Sequence, residues 1–169
     1  MKLEEKQNTI KRVGVVDRKT CSMAINAHAF NLLARQYSDP IKAILQELGC
    51  NAVDSHKRAG NTDPFLVQLP TQMDQHFRIR DFGTGMDETK IDNVYVNWME
   101  SDKRQTNDET GYFGIGSKTP LAYGDSFNIT TYTDGIMRLY TMCRNEDDIP
   151  ELQCYGSSET TEPNGVEIS

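Results

Sequence analysis

The chain is short of cysteine and histidine, of positive charge and of long apolar runs, and each shortage excludes something. Its four cysteines, Cys21, Cys50, Cys143 and Cys154, contain no C-x-x-C pair. Neither a disulfide framework nor a structural zinc site is expected, and reduced thiols point to the cytoplasm. None of the three histidines stands beside a second metal ligand in sequence. Eighteen basic residues against 25 acidic ones leave a net charge of −7. Such a surface repels phosphate backbones, so no direct nucleic-acid partner is expected. No apolar stretch approaches membrane-spanning length, and the polar opening MKLEEKQNTI is not a signal peptide. What is present, 37% hydrophobic residues over 169 positions, suffices for one domain with one core.

Residues 1–19 read as an N-terminal arm and residues 20–169 as that domain. A short strand is expected over Thr20–Ile25 and a helix over Ala27–Gln36. The strongest helix signal follows: Asp39 as N-cap, Pro40 at the first helical position and Gly60 as the stop. At about 100° per residue, Ile41, Ile44, Leu45, Leu48 and Ala52 share an apolar stripe. Lys42, Gln46 and His56 are assigned to the solvent face. Glu47, Asn51 and Asp54 fall on neither side and form a second polar strip beside the stripe. Strands are expected at Phe65–Leu69 and His76–Arg80, and a helix at Glu88–Trp98. The segment ESDKRQTNDET, Glu100–Thr110, holds no apolar residue and reads as a solvated, mobile loop. A short helix at Lys118–Tyr123 precedes strands at Phe127–Thr133 and Ile136–Cys143, joined by the hairpin signal Asp134-Gly135. Leu152–Tyr155 and the segment from Val166 complete the strands. Helices early and hairpins late predict an α+β, two-layer sandwich, with helices on one face of a mixed, mostly antiparallel sheet.

Three places could do chemistry. A Glu, an Asn and an Asp on one helical line are most often a polar flank or a satisfied buried network. Their sharper reading is a carboxylate that holds a water one turn from an amide oxygen suited to a hard cation such as Mg²⁺. The second place is RDFGTGMD, Arg80–Asp87. Gly83 and Gly85 allow a sharp turn and close approach to a flat ligand, with Asp81 as acceptor for an exocyclic amine; the plain alternative is a tight loop with an Asp for its turn. The third, GYFGIGSKT from Gly111 to Thr119, nearly spells a Walker phosphate loop. Ser117 intrudes between Gly116 and Lys118, and the preceding segment is polar instead of a buried strand, so that reading is rejected. A glycine-rich segment opening a helix still suits an anion.

In this order, E-x3-N-x2-D, D-x-G-x-G-M and G-x-F-G-x-G resemble the GHKL ATPase superfamily of gyrase B, heat-shock chaperone, histidine kinase and MutL. The resemblance covers about residues 20–169 and implies the Bergerat ATP-binding fold, with ATP and Mg²⁺ held between helices and a mobile lid. It implies Glu47 as general base, Asn51 as Mg²⁺ ligand and Asp81 as acceptor from the adenine amine. Asp54, Gly83, Gly85 and Met86 would line the nucleotide pocket. Gly111, Phe113, Gly114, Ile115, Gly116, Ser117 and Lys118 would close on the phosphates, with Glu100–Thr110 as the lid. Histidine kinases usually carry a basic residue where Asp54 stands, so the wording is nearer gyrase, chaperone and MutL. RDFGTGM, FGIGSKTPLAY, DSFNITTY and NAVDSH are also similar to the rIIA proteins of T-even-type phages. Those are known for protection against prophage-induced early lysis and for membrane association. That likeness implies a phage protein of the host cytoplasm, peripheral at the membrane, with a host or membrane-associated partner and a homodimer in the longer protein. One departure stands out: the family's last motif is Gly-Thr, and the position here reads Gly165-Val166. The chain also stops at Ser169 in mid-strand, which suggests a fragment. Without the cation that an adjoining domain supplies in these families, ATP hydrolysis by the isolated domain is expected to be slow.

Overall fold

The computed structural model describes Gly14 and residues 16–20, 39–96 and 116–169. Seven strands make one sheet: β1 (Asp17–Thr20), β2 (Leu66–Gln68), β3 (Arg78–Arg80), β4 (Ser126–Thr133), β5 (Ile136–Arg144), β6 (Pro150–Glu159) and β7 (Gly165–Ile168). Their spatial order is β1-β6-β5-β4-β7-β3-β2. Every ladder among the described residues is antiparallel, so no parallel pair is seen where a mixed sheet was expected. β1 begins at Asp17 and pairs with β6, which brings residues 17–19, expected in the arm, into the sheet. The expected strand residues 21–25 and the helix at 27–36 lie outside the described residues.

The β4–β5 hairpin shows how the sequence dictates the sheet. Asp134 and Gly135 both take positive φ, 53° and 77°, the two-residue turn whose twist matches the flanking strands. That turn fixes Thr133 opposite Ile136, and the two-residue period then puts Phe127, Ile129 and Thr131 on one face with Tyr140 and Met142. Ile79, Leu152, Val166 and Ile168 join them to form the core.

The main helix, α1 (Pro40–Ala59), covers this face. Asp39 caps it, accepting from the Lys42 amide at 3.1 Å, and Gly60 ends it in the left-handed region at φ 65°. Ile44, Leu48 and Ala52, four residues apart, meet the core. Ile41 and Leu45, expected in the same stripe, are 55% and 43% exposed. Ile41 sits in the first turn, and Leu45 lies on the flank of that line. His56, expected at the solvent face, continues the line by four more residues and is 6% exposed. Asp87 caps a short helix, α2 (Glu88–Ile91), which passes into a π-helical turn, Asp92–Val96. A 3₁₀ segment, Gly116–Ala122, packs against α1 and β4. No helix among the described residues is long and apolar enough to cross a membrane. Cys50, Cys143 and Cys154 are free thiols.

Candidate functional site

The loop after β3 is laid directly on the last turns of α1. Gly83 has no room for a side chain, because a Cβ would overlap the main chain of Ser55. With the loop this close, the Ser55 hydroxyl donates to Asp81 Oδ1 at 3.0 Å and the Gly83 amide donates to the same oxygen at 2.9 Å. Asp81 Oδ2 takes no hydrogen bond among the described residues. Burial pushes the Asp81 carboxyl above its ordinary range, against the pull of these donors and of Arg80. The Arg80 guanidinium lies between the Phe82 and Tyr132 rings, 4.9 and 4.1 Å from their centres. It donates to the carbonyls of Asp81 and of Pro163 and so braces the loop from the sheet's other face.

Gly85 stands at φ 65°, where a Cβ would overlap the Tyr132 carbonyl, so only glycine lets this turn approach β4. The Thr131 hydroxyl then pins the next residue, accepting from the Met86 amide and donating to the Met86 carbonyl, both at 2.8 Å. Thr131 lies opposite Val166 in the β4–β7 ladder. A threonine hydroxyl therefore does reach this loop, from β4 and not from the β7 position where the motif places it.

Farther back along α1 the picture changes. Glu47 and Asn51 are half-buried, and neither side chain makes a hydrogen bond among the described residues. Asp54 is 7% exposed. The Glu47 carboxylate rests on Gly116, where a Cβ would collide with Oε2. From Glu47 to Ser55 is eight residues, about 12 Å of helix axis. Lys118, expected to face phosphates, is instead 1% exposed, its ammonium on the Val94 carbonyl at 2.6 Å and above the Tyr95 ring. Ser117 is half-buried and reaches the same carbonyl at 3.4 Å. The π-turn brings that carbonyl over the 3₁₀ segment, and a buried ammonium takes the nearest acceptor. Gly111, Phe113, Gly114, Ile115 and the expected lid lie outside the described residues.

A family model described as histidine kinase-, DNA gyrase B- and HSP90-like ATPase matches residues 37–160. The chain belongs to this family. Among solved structures, it is similar to the ATPase and transducer domains of DNA topoisomerase II from Balamuthia mandrillaris, with a TM-score of 0.59 and 16% identity. The match covers 76% of this chain and 36% of that one, so the chain spans about a third of that protein's length; at this identity the likeness concerns the fold. No curated protein matches the chain.

Of the expected residues, the structure joins Asp81 and Gly83 to α1, and seats Glu47 against Gly116. Reasoning from sequence passed over Ser55, His56, Arg80 and Thr131. Thr131 left a trace, a threonine in the inward slot after Phe127 and Ile129. Ser55 and His56 left none, since their partners are 26 residues away.

Proposed function

We propose that the domain binds ATP with Mg²⁺ and hydrolyses it. The observation that carries this reading is Asp81: a buried carboxylate with one oxygen locked by two donors and the other unclaimed, at a turn stripped of side chains by two glycines. Oδ2 suits the exocyclic amine of adenine, and Gly83 and Gly85, by letting the turn close onto α1 and β4, hold Asp81 in place. With the base at that end, the phosphates run back along α1 toward Asn51 and Glu47. Among the described residues no three His, Cys, Asp or Glu side chains gather as a metal centre. Asn51 supplies a single oxygen, which fits Mg²⁺, an ion that keeps most of its shell as water and substrate phosphate. When bound there, the metal offsets phosphate charge. Glu47, without a hydrogen bond of its own, is free to take a proton from the attacking water. Asp54 lines the pocket between them, and Gly116 and Ser117 border the phosphate side.

One observation favours a second reading, a nucleotide-gated binding module with little turnover. The ammonium of Lys118 is engaged by Val94 in place of a phosphate. Hydrolysis would then be slow until a cation arrives from elsewhere, as a partner or a second copy could supply. The finer assignment, a domain of an rIIA-like phage protein that serves lysis inhibition in the host cytoplasm or at its membrane, is supported by the strings RDFGTGM, FGIGSKTPLAY, DSFNITTY and NAVDSH.

Calorimetric titration with a non-hydrolysable ATP analogue and its guanine counterpart, beside a phosphate-release assay with and without Mg²⁺, tests the proposal. Adenine-selective binding with Mg²⁺-dependent release that Glu47→Ala abolishes is the expected result. Binding without release supports the second reading, and no adenine preference overturns both.

A further inference from the structure

We propose that His56 is a positioning residue for the adenine end: neutral, with its proton on Nδ1, it holds the Phe82 amide and thereby aims Asp81. The inference rests on the nucleotide-site reading above. The tautomer follows from the partners. The Phe82 N–H, 2.7 Å from Nε2, can only donate, so Nε2 carries no proton. The Asp63 carbonyl, 3.0 Å from Nδ1, can only accept, so Nδ1 carries it. The other side of Phe82 is held as well, its carbonyl accepting from Asn61 Nδ2 at 2.9 Å. Asn61 Oδ1 in turn takes the Asp63 amide at 2.9 Å, which closes a ring of contacts from the end of α1 to the loop. The rings of Phe65 and Phe82 enclose the imidazole at 6.2 and 6.4 Å. Phe82 lies between Asp81 and Gly83, the residue whose amide locks Asp81 Oδ1. Whatever displaces the Phe82 amide therefore displaces the acceptor.

A second proton on His56 would turn Nε2 into a donor facing a donor, and that strut would open.

His56→Gln puts an amide oxygen near the Nε2 position; His56→Leu keeps bulk without an acceptor. Affinity for Mg-ADP is measured by calorimetry at pH 8.0 for wild type and both variants. The Gln variant should bind near wild type and the Leu variant about tenfold more weakly, the effect of one lost buried hydrogen bond. A Gln variant as weak as Leu, or a Leu variant binding as wild type does, overturns the proposal. If no form binds ADP at pH 8.0, the nucleotide reading itself has failed, and His56 is judged without ligand. A proton on Nδ1 by nitrogen NMR, with the Phe82 amide protected in wild type and Gln but not in Leu, then upholds the strut. A proton on Nε2, or equal exchange at Phe82 in all three, removes it.

Discussion

At its C-terminal end α1 meets the 81–83 loop through Ser55 and His56, whose polar atoms are all engaged. One and two turns earlier, Asn51 and Glu47 are half-buried with no side-chain hydrogen bond among the described residues. One end is finished and the other is not. The physical reason is the kind of ligand atom each is suited to meet. A flat ring with a fixed amine rewards an acceptor already held in place, since ordering it on binding would subtract from affinity. Phosphates, water and a metal rearrange during reaction, and a base with its lone pairs already bonded cannot take a proton. Under the proposed nucleotide reading, the finished end serves recognition and the bare one chemistry.

The sharpest way to break this division is to exchange the expected losses. Glu47→Ala should leave binding of an ATP analogue nearly intact and lower the hydrolysis rate by about 10²–10⁴, the range for a general base. A calorimetric titration beside a phosphate-release assay reads both. Lost binding with an unchanged rate per bound nucleotide would place Glu47 at the recognition end. Asp81→Asn should do the reverse. The Gly83 amide and the Ser55 hydroxyl require an oxygen at Oδ1, so the new NH₂ must point at the ligand. A donor then meets the adenine amine, and affinity should fall about tenfold to a hundredfold in the same titration.

How much of this was legible in the sequence divides along the same line. Asp39, Pro40 and Gly60 bounded α1, and Asp134-Gly135 set the central hairpin, because caps and two-residue turns are local chemistry. Glu47 and Asn51 could be singled out because a polar strip beside the apolar stripe of a helix breaks its pattern, and Asp81 because it ends a strand ahead of two close glycines. The supports could not. Ser55 and His56 read as ordinary residues of a helix end, and only the fold brings Phe82 and Asp81 onto them. Lys118 misled for the opposite reason. Its place beside glycines suggested an anion, while the Val94 carbonyl that captures it is 24 residues away.

Two glycines carry the comparison into packing. Gly83→Ala drives a methyl into the Ser55 main chain, which cannot step aside. Overpacking of this kind costs about 1–3 kcal/mol, and the melting temperature should drop accordingly. Gly116→Ala meets only the far end of the Glu47 side chain, which can swing away. Its effect on stability should stay within about 0.5 kcal/mol, while the hydrolysis rate falls because the carboxylate has moved. Thermal melts of both variants, with the rate assay on the second, check the pair. Equal losses of stability would mean that Glu47 is as fixed as Ser55 and that the bare end is not bare.

The smallest effect concerns the cost of holding Asp81 ready. Burial raises its carboxyl above the ordinary 3.8, although the Gly83 amide, the Ser55 hydroxyl, Arg80 and His56 all pull the other way. An acid whose pKa is higher in the folded chain binds its proton more tightly there than when unfolded. Its contribution to stability therefore falls as pH rises from the ordinary value through the raised one, and stays at its lowest above that window. Above that window the chain bears the cost of a buried charge. Asp81→Asn removes the charge and retains the oxygen that Ser55 and Gly83 need. Without nucleotide, the variant should melt no lower than wild type at pH 7.5, and any advantage should shrink as the pH approaches 4. Melts of both proteins across that range decide it, since every other carboxylate is common to the two. A variant that melts well below wild type at pH 7.5 would show the charge to be more than offset by Arg80 and the loop. The carboxylate would then be serving the fold, and the finished end of α1 would be finished for stability and not for recognition.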